Sequence, residues 1–221
     1  MSAEGAALCY RTICAEGAAM LGSHRHPEVT MHTYALSEYM RHADAGRWES
    51  AGRLLLSSAE KLARIGAELL ICPDNTLHQA LDLVREESPV PWLHIAEEVV
   101  AEAAQRGFRR VAVLGTRYLM EGPVYSSKFP AKGIEWSIPE RDARARINQI
   151  IFDELVLGRL EDRSRRYFQQ IIRGLGKDRC DAVVLGCTEI PLLISEADSS
   201  LPTLDSTRIL ARAALREATR V

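Results

Sequence analysis

The sequence predicts an α/β protein with two pseudo-symmetric, Rossmann-like lobes, each a parallel sheet covered by helices, and an active-site cleft between them. Short β-branched or aliphatic runs alternate with longer helical patterns along almost the whole chain, as is typical of parallel sheets. The segments AELLICPDNTLH and DAVVLGCTEIPLL form a weak internal repeat, since each runs from an apolar strand into a polar loop and then a helix. The segment SPVPW interrupts the pattern between them.

The first predicted element is a helix, although folds of this kind normally open with a buried strand. Ser2 is a typical N-cap residue, and helical spacing follows from Ala6 to Ala19. We therefore expect a strand before Met1, with the true start further upstream. Another helix is predicted from Arg47 to Ile65, because its apolar side chains fall on one face. The predicted strands are Val29 to Tyr34, Glu68 to Cys72, Val90 to Leu93, Arg110 to Leu114, Gly133 to Ile138, Asp181 to Leu185 and Leu201 to Leu204.

The lobe boundary is predicted near Pro89 and Pro91. Residues 1–91 together with 206–221 form the first lobe, which lacks its first strand, and residues 92–205 form the second. The helix predicted from Ser206 returns the chain to the first lobe. Ligands of open parallel sheets bind at the carboxyl ends of the strands. We therefore expect the two repeated loops to face each other there.

Composition narrows the class of function. The chain has 221 residues, 47% of them hydrophobic and 26% charged, with a formal net charge of −2, which excludes a disordered protein and a dedicated nucleic-acid surface. No apolar run reaches about 18 residues, and the first residues carry Glu4, Arg11 and Glu16, unlike a signal peptide. We expect a cytoplasmic protein with a small-molecule partner. The five cysteines have no spacing typical of a disulfide framework or a metal site.

The segment LGCTEIP, residues 185–191, carries the sharpest local signal. It places Cys187 after a strand and before a helix N-terminus, whose free N–H groups lower a thiol pKa from about 8.5. A thiolate formed in this way can act as a base. The alternative is an inert cysteine of the core, which is the common fate of this residue.

The segment CPDNTLH, residues 72–78, is the second signal. Asp74, Asn75 and Thr76 offer a carboxylate, an amide and a hydroxyl, but the same residue types also make ordinary caps and turns. Its pairing with the Cys187 loop favours a site. A third strand ends at Thr116, whose hydroxyl is a further candidate for ligand binding. His24 and His26 lack a third metal ligand, and no metal site is expected.

Six blocks of sequence lie in an order shared with a known family. They are MSAEGAALCYRTICAEG, DAGRWESAGRLLLSSAEKLARIGAELLICPDNTLH, VAVLGTRYLMEG, RARINQIIFDELVLGR, VVLGCTEIPLLI and LDSTRI. On these blocks the chain resembles the aspartate/glutamate racemase family over nearly all its length. The resemblance implies an isomerase that needs no cofactor, is commonly a homodimer, and holds its substrate between two bases on opposite faces of the α-carbon.

Carried over by position, Cys187 matches one catalytic cysteine of the family, and His78 matches its histidine after the Asn-Thr pair. The positions that match residues holding the substrate carboxylates and amino group are Asn75, Thr76, Thr116 and Thr188. The candidates for binding a distal carboxylate of the substrate are Arg41, Arg47, Arg117 and Arg146.

Two departures from the family pattern leave alternatives open. Asp74 stands where the second catalytic cysteine is usual, and a carboxylate is a weaker base that repels a dicarboxylate substrate. Met1 and Ser2 align with the end of a family motif Gly-Gly-Met-Ser.

The leading hypothesis is a racemase or epimerase of an aspartate-like or glutamate-like amino acid, with Cys187 and Asp74 as catalytic residues. The alternatives are a single-cysteine decarboxylase or isomerase resembling arylmalonate decarboxylase, and a catalytically silent binding homologue.

Overall fold

The structure, a computed structural model, describes residues 2–220. Over this range the chain forms six strands, ten α-helices and four short 3-10 helices. The strands are β1 (Leu70–Ile71), β2 (Trp92–Leu93), β3 (Arg110–Leu114), β4 (Glu135–Ser137), β5 (Ala182–Leu185) and β6 (Thr203–Asp205). The helices are α1 (Ala3–Leu21), α2 (Leu36–Asp44), α3 (Trp48–Arg64), α4 (His78–Val84), α5 (Ile95–Gln105), α6 (Arg117–Glu121), α7 (Arg141–Asp153), α8 (Asp162–Lys177), α9 (Ile190–Leu193) and α10 (Ser206–Ala218).

The strands form two parallel sheets. In the first, β1 pairs with β2, with Leu70 opposite Trp92. In the second, the order is β4-β3-β5-β6, and every pairing is parallel. The predicted α/β class with parallel sheets is therefore confirmed. Because parallel strands share one direction, the carboxyl ends of β3, β5 and β6 lie at one edge of their sheet.

The second sheet is covered on both faces, which explains its nearly continuous apolar strands. Alternate residues of β3 enter different cores, because successive side chains of a strand point to opposite faces. Ala112 and Leu114 pack with α7 and α8, whereas Val111 and Val113 pack with α5. The first sheet has its own core, built mainly by α3, α4 and β1. Helix α10 follows β6 and packs against both α1 and α5.

Several elements lie where the sequence predicts them. Strand β3 has the predicted bounds, the predicted helix from Arg47 to Ile65 is observed as α3, and α10 begins at Ser206. Ser2 caps α1 as expected, since its Oγ accepts a hydrogen bond from the backbone N–H of Gly5 at 3.1 Å. Capping residues and apolar periodicity are local signals, which is why these boundaries could be found.

The strand predicted from Val29 to Tyr34 is wrong. Exposure alternates only from Met31 to Tyr34, and no β-ladder is formed within the segment. Instead it runs beside α3, with His32 Nδ1 3.0 Å from Ser58 Oγ and the Tyr34 hydroxyl 2.9 Å from Ser57 Oγ. Side-chain hydrogen bonds to a helix therefore replace backbone pairing to a sheet.

The lobe division at residue 91 stays a prediction. The pairing of β2 with β1 argues for placing Trp92 and Leu93 with the first lobe instead of the second. None of the helices within residues 2–220 combines the length and apolar character that crossing a bilayer requires.

Candidate active site

Two strand-end loops face one cleft between the sheets. One loop follows β1 and the other follows β5, and the cleft encloses about 580 Å³ of space that is partly open to solvent. All six predicted site residues line it: Asp74, Asn75, Thr76, Thr116, Cys187 and Thr188. The sequence-based pairing of the two repeated loops thus agrees with the geometry.

Close contact between strand ends sets the position of the second loop. The backbone N–H of Gly186 donates to the carbonyl of Leu114 at 2.7 Å, which extends the pairing of β5 with β3 by one residue. A Cβ atom on Gly186 would lie 2.6 Å from that carbonyl oxygen. Glycine is therefore required at this position, and Cys187 follows directly as the strand opens into the cleft.

The Cys187 thiol is held by a carboxylate two residues away. Its Sγ donates a hydrogen bond to Glu189 Oε2 at 2.8 Å. Burial raises the pKa of Cys187 well above its usual range, and the negative charge and hydrogen bond of Glu189 raise it further. The expected lowering of this pKa is wrong for the protein without substrate. Helix α9 spans only four residues and begins three residues after Cys187. Burial and the charge of Glu189 therefore outweigh the effect of its dipole on the thiol pKa.

Glu189 is a buried carboxylate that sequence reasoning did not assign to the site. Only 2% of the residue is exposed. Its Oε2 accepts from Thr188 Oγ1 at 2.9 Å as well as from Cys187, and its Oε1 accepts from Ser2 Oγ. Buried charges are normally paired or hydrogen-bonded. The available signal was a glutamate embedded in an apolar strand-to-helix segment directly after a candidate catalytic cysteine.

Asp74 occupies the corresponding place in the first loop. Its Oδ1 accepts from the backbone N–H of Leu77 at 3.2 Å, in the manner of a turn residue. Burial raises the pKa of Asp74, the hydrogen bond from Leu77 opposes this rise, and the charge of Glu189 adds to it. A raised pKa makes a carboxylate a stronger base. Asp74 is therefore both a turn acceptor and a perturbed acid on the cleft wall.

Asn75 ties the first loop to the rest of the protein. Its Nδ2 donates to Ser206 Oγ at 2.9 Å, and its Oδ1 accepts from the Tyr125 hydroxyl at 2.8 Å. Ser206 in turn donates to the carbonyl of Leu185 at 2.9 Å, at the end of β5. Since Asn75 is only 2% exposed, most of its hydrogen-bonding capacity positions the loop.

The threonines bring the two sheets together at the cleft. Thr76 Oγ1 lies 2.8 Å from Thr116 Oγ1, although the two residues belong to loops on different sheets. Thr116 also caps α6, because its Oγ1 accepts from the N–H of Leu119 at 3.2 Å. These hydroxyls and the hydroxyl of Thr188 are short, uncharged donors that suit a carboxylate.

His78 is fully buried behind the first loop. Its Nε2 accepts from the N–H of Ile95 at 3.1 Å, and its Nδ1 lies 2.9 Å from the carbonyl oxygen of Asp74. The ring is therefore neutral, with its proton on Nδ1 donated to Asp74. Burial lowers the pKa of His78 to about 3, and neighbouring His94 contributes in the same direction. His78 thus fixes the backbone at Asp74.

The family follows from a comparison with known proteins. The model of the Asp/Glu/Hydantoin racemase family matches residues 1–214 of the 221. The chain belongs to this family.

Three similar proteins are also described as racemases or racemase homologues. The broad specificity amino-acid racemase RacX of Bacillus subtilis is 23% identical over 160 residues, covering 72% of this chain and 69% of that protein. The crystal structure of a candidate Asp/Glu racemase from Yersinia pestis has 32% identity and a TM-score of 0.88, over 98% and 95% of the two chains. An aspartate racemase homologue from Pyrococcus horikoshii has 29% identity and a TM-score of 0.84, with the same coverage.

These relatives are racemases or carry that description, and racemases are isomerases, so the predicted enzyme class is confirmed. The arginines considered for a distal carboxylate of an acidic substrate do not line the cleft of this family member: Arg41, Arg47, Arg117 and Arg146. Within residues 2–220, no group of three or more His, Cys, Asp or Glu side chains has a geometry suited to a metal ion.

Proposed function

We propose that this protein is a cofactor-independent amino-acid racemase or epimerase that uses Cys187 and Asp74 as unequal bases. The observation that carries the proposal is that these two proton-transfer groups come from loops on different sheets and line the same cleft. A substrate bound between them presents its α-carbon to both. Racemisation without a cofactor needs this arrangement, because the proton must leave from one side and return on the other.

In the proposed reaction, the proton of Cys187 first moves along its hydrogen bond to Glu189. The thiolate then removes the α-proton, and the electron pair of the C–H bond passes into the substrate carboxylate. A protonated Asp74 donates its proton to the opposite face of the carbon. The product is the mirror-image amino acid. The net transfer of one proton from Glu189 to Asp74, through solvent, then restores the starting state. The raised pKa of Asp74 supports this role, because a carboxyl group must be protonated to act as the acid.

The substrate α-carboxylate is proposed to bind the hydroxyls of Thr76 and Thr116, and Thr188 joins them when its hydroxyl turns from Glu189 to the substrate. Thr76 and Thr116 already share a hydrogen bond in the cleft, and Thr188 is next to Cys187. Hydrogen bonds to the carboxylate strengthen as it gains charge in the carbanion, and this stabilises the transition state. Asn75 supports this site mainly by holding the loop, with one amide N–H left over for ligand.

The test is α-proton exchange in D₂O, followed by ¹H NMR on separate D- and L-amino acids. We expect loss of the α-proton signal together with appearance of the other enantiomer on a chiral column. Exchange without inversion would indicate a single-base enzyme. No exchange with any amino acid, by a protein that is folded by circular dichroism, would contradict the proposal. A cytoplasmic homodimer, as the family resemblance implies, stays a prediction that light scattering on the purified protein can test in part.

A further inference from the structure

The wall of the cleft has an unusual distribution of charge for an enzyme related to aspartate and glutamate racemases. Among the lining residues that the structure describes, two are carboxylic acids, Asp74 and Glu189, and none is lysine, arginine or histidine. An acidic side chain on the substrate would therefore enter a site that already carries carboxyl groups.

The rest of the wall is apolar. Most of it comes from two helical segments, α2 and the end of α7 with the 3-10 turn that follows it. Helix α2 contributes Leu36, Tyr39, Met40 and Ala43, and the second segment contributes Ile151, Phe152 and Val156. The polar groups lie instead on the strand-end loops. A substrate α-carbon placed beside Cys187 would thus extend its side chain toward an apolar surface.

Two of the four arginines contact other side chains, and the other two are exposed. The guanidinium of Arg117 lies 5.2 Å from the ring centre of Tyr118, and Arg146 donates to Gln149 Oε1 at 2.7 Å. Arg41 and Arg47 are exposed. At the rim, the Tyr118 hydroxyl donates to Asp44, which is another acidic group. The described lining of the cleft therefore offers a distal carboxylate no basic partner.

We propose that the substrates are amino acids with an uncharged, apolar side chain of moderate size, such as leucine or methionine. This inference rests on the racemase function proposed above. The substrate ammonium pairs with the one negative charge that Cys187 and Glu189 share through their hydrogen bond, the α-carboxylate binds the threonine hydroxyls, and the side chain packs between α2 and the end of α7. Leaving a buried carboxylate without a counter-ion strongly disfavours binding. Glutamate and aspartate should therefore be turned over about 100-fold less efficiently, or worse.

The first experiment compares kcat/KM for α-proton exchange of leucine, methionine, glutamate, aspartate and lysine. We expect leucine and methionine to exceed both acidic amino acids by about 100-fold. N-acetylmethionine and a 5-substituted hydantoin lack the ammonium and should exchange slowly. Faster exchange of glutamate or aspartate would overturn the inference while leaving the racemase function intact. If the hydantoin is the best substrate, both this inference and the amino-acid specificity of the proposed function are wrong.

A second readout separates binding from catalysis. Methionine should protect Cys187 from iodoacetamide at concentrations where glutamate does not, as measured by peptide mass spectrometry. If methionine protects but no amino acid exchanges, the substrate class stands and the racemase proposal fails. If neither protects and neither exchanges, both are wrong.

A matched pair of variants tests the wall directly. Met40→Lys places a cation on the apolar wall, and we expect the ratio of kcat/KM for glutamate over methionine to rise at least 10-fold. Met31→Lys is the control, because Met31 is 52% exposed and does not line the cleft. In Met31→Lys the ratio of kcat/KM for glutamate over methionine should not change. Thermal unfolding of both variants shows whether they are folded, and an unchanged ratio in a folded Met40→Lys protein would contradict the inference.

Discussion

The two strand-end loops of the cleft have similar local sequences but different internal support. The loop after β1 is tied down mainly by neutral groups: Asn75 binds Ser206 and Tyr125, and His78 binds the backbone of Asp74. The loop after β5 has a buried carboxylate at its centre, and Cys187 donates directly to it. The first loop thus places its acid through the backbone, whereas the second controls its thiol through charge.

This difference gives the two proposed bases different sensitivities. A change beside Asp74 should act mostly on its position, since its contacts are hydrogen bonds of the loop. A change beside Cys187 should act mostly on its protonation, since Glu189 raises the pKa of the thiol. Four predictions test this contrast.

The largest effect is expected from Cys187→Ser. A serine hydroxyl is not deprotonated at neutral pH, so both racemisation and α-proton exchange should fall by about 1,000-fold or more. NMR in D₂O measures the exchange, and a chiral column measures the racemisation. Cys14→Ser is the control, because Cys14 is a half-buried free thiol that does not line the cleft. Retention of exchange in Cys187→Ser would remove the thiol from the mechanism.

Two substitutions at Asp74 separate its two roles. Asp74→Asn keeps an acceptor for the N–H of Leu77 but cannot exchange a proton, and Asp74→Ala loses both functions. We expect both variants to lose inversion by about 100-fold, with deuterium still entering one enantiomer through Cys187. Chiral chromatography with mass spectrometry distinguishes these outcomes. If Asp74→Asn inverts its substrate at the normal rate, Asp74 is only a turn acceptor and the single-base mechanism is the better account.

A moderate effect is expected from Glu189→Gln. Removing the negative charge lowers the pKa of Cys187, so the thiolate forms at lower pH than in the native protein. The pH at which iodoacetamide labels Cys187 at half its maximal rate should therefore move downward. In the native protein, labelling at neutral pH should be slow. The exposed Glu196→Gln variant is the control, and a profile that shifts equally in both variants would show that Glu189 has no special influence on the thiol.

The smallest effect on chemistry, but a measurable effect on stability, is expected for His78. Its pKa is about 3 in the folded protein against 6.5 ordinarily, so the unfolded chain binds this proton first as the pH falls. The free energy of unfolding should decrease on acidification from pH 6.5 toward 3, with a contribution from His78 on the order of 4 kcal/mol. Urea unfolding across this range, compared with His78→Gln, isolates the contribution. An identical pH dependence in the variant would contradict the assignment.

Local signals in the sequence were enough to find most elements and the position of the cleft. Caps and apolar periodicity located α1, α3 and α10, and the two repeated loops indicated which residues meet. Strand Val29 to Tyr34 was predicted wrongly because a short β-branched run indicates extended backbone, not the element against which the segment packs. Here that element is a helix, and no signal within the segment distinguishes this from a sheet.

The electrostatics of the site were less accessible from the sequence. The helix-terminus argument for Cys187 considered the following N–H groups but not the direction of the Glu189 side chain, which depends on Ser2 and Thr188. Similarly, Asn75 was assigned to substrate, and its contacts with Tyr125 and Ser206 depend on residues 50 and 131 positions away. Long-range packing decides both cases.

The bond between Asn75 and Ser206 has a consequence for how the enzyme becomes active. It closes a loop of 131 residues, and contacts so distant in sequence form late, because a long stretch of chain must be ordered first. The first loop therefore cannot reach its final geometry until β5, β6 and the start of α10 are in place. A folding intermediate that contains only one sheet would contain one of the two proposed bases, Cys187 or Asp74, without the other. Proton transfer is thereby restricted to the completed molecule.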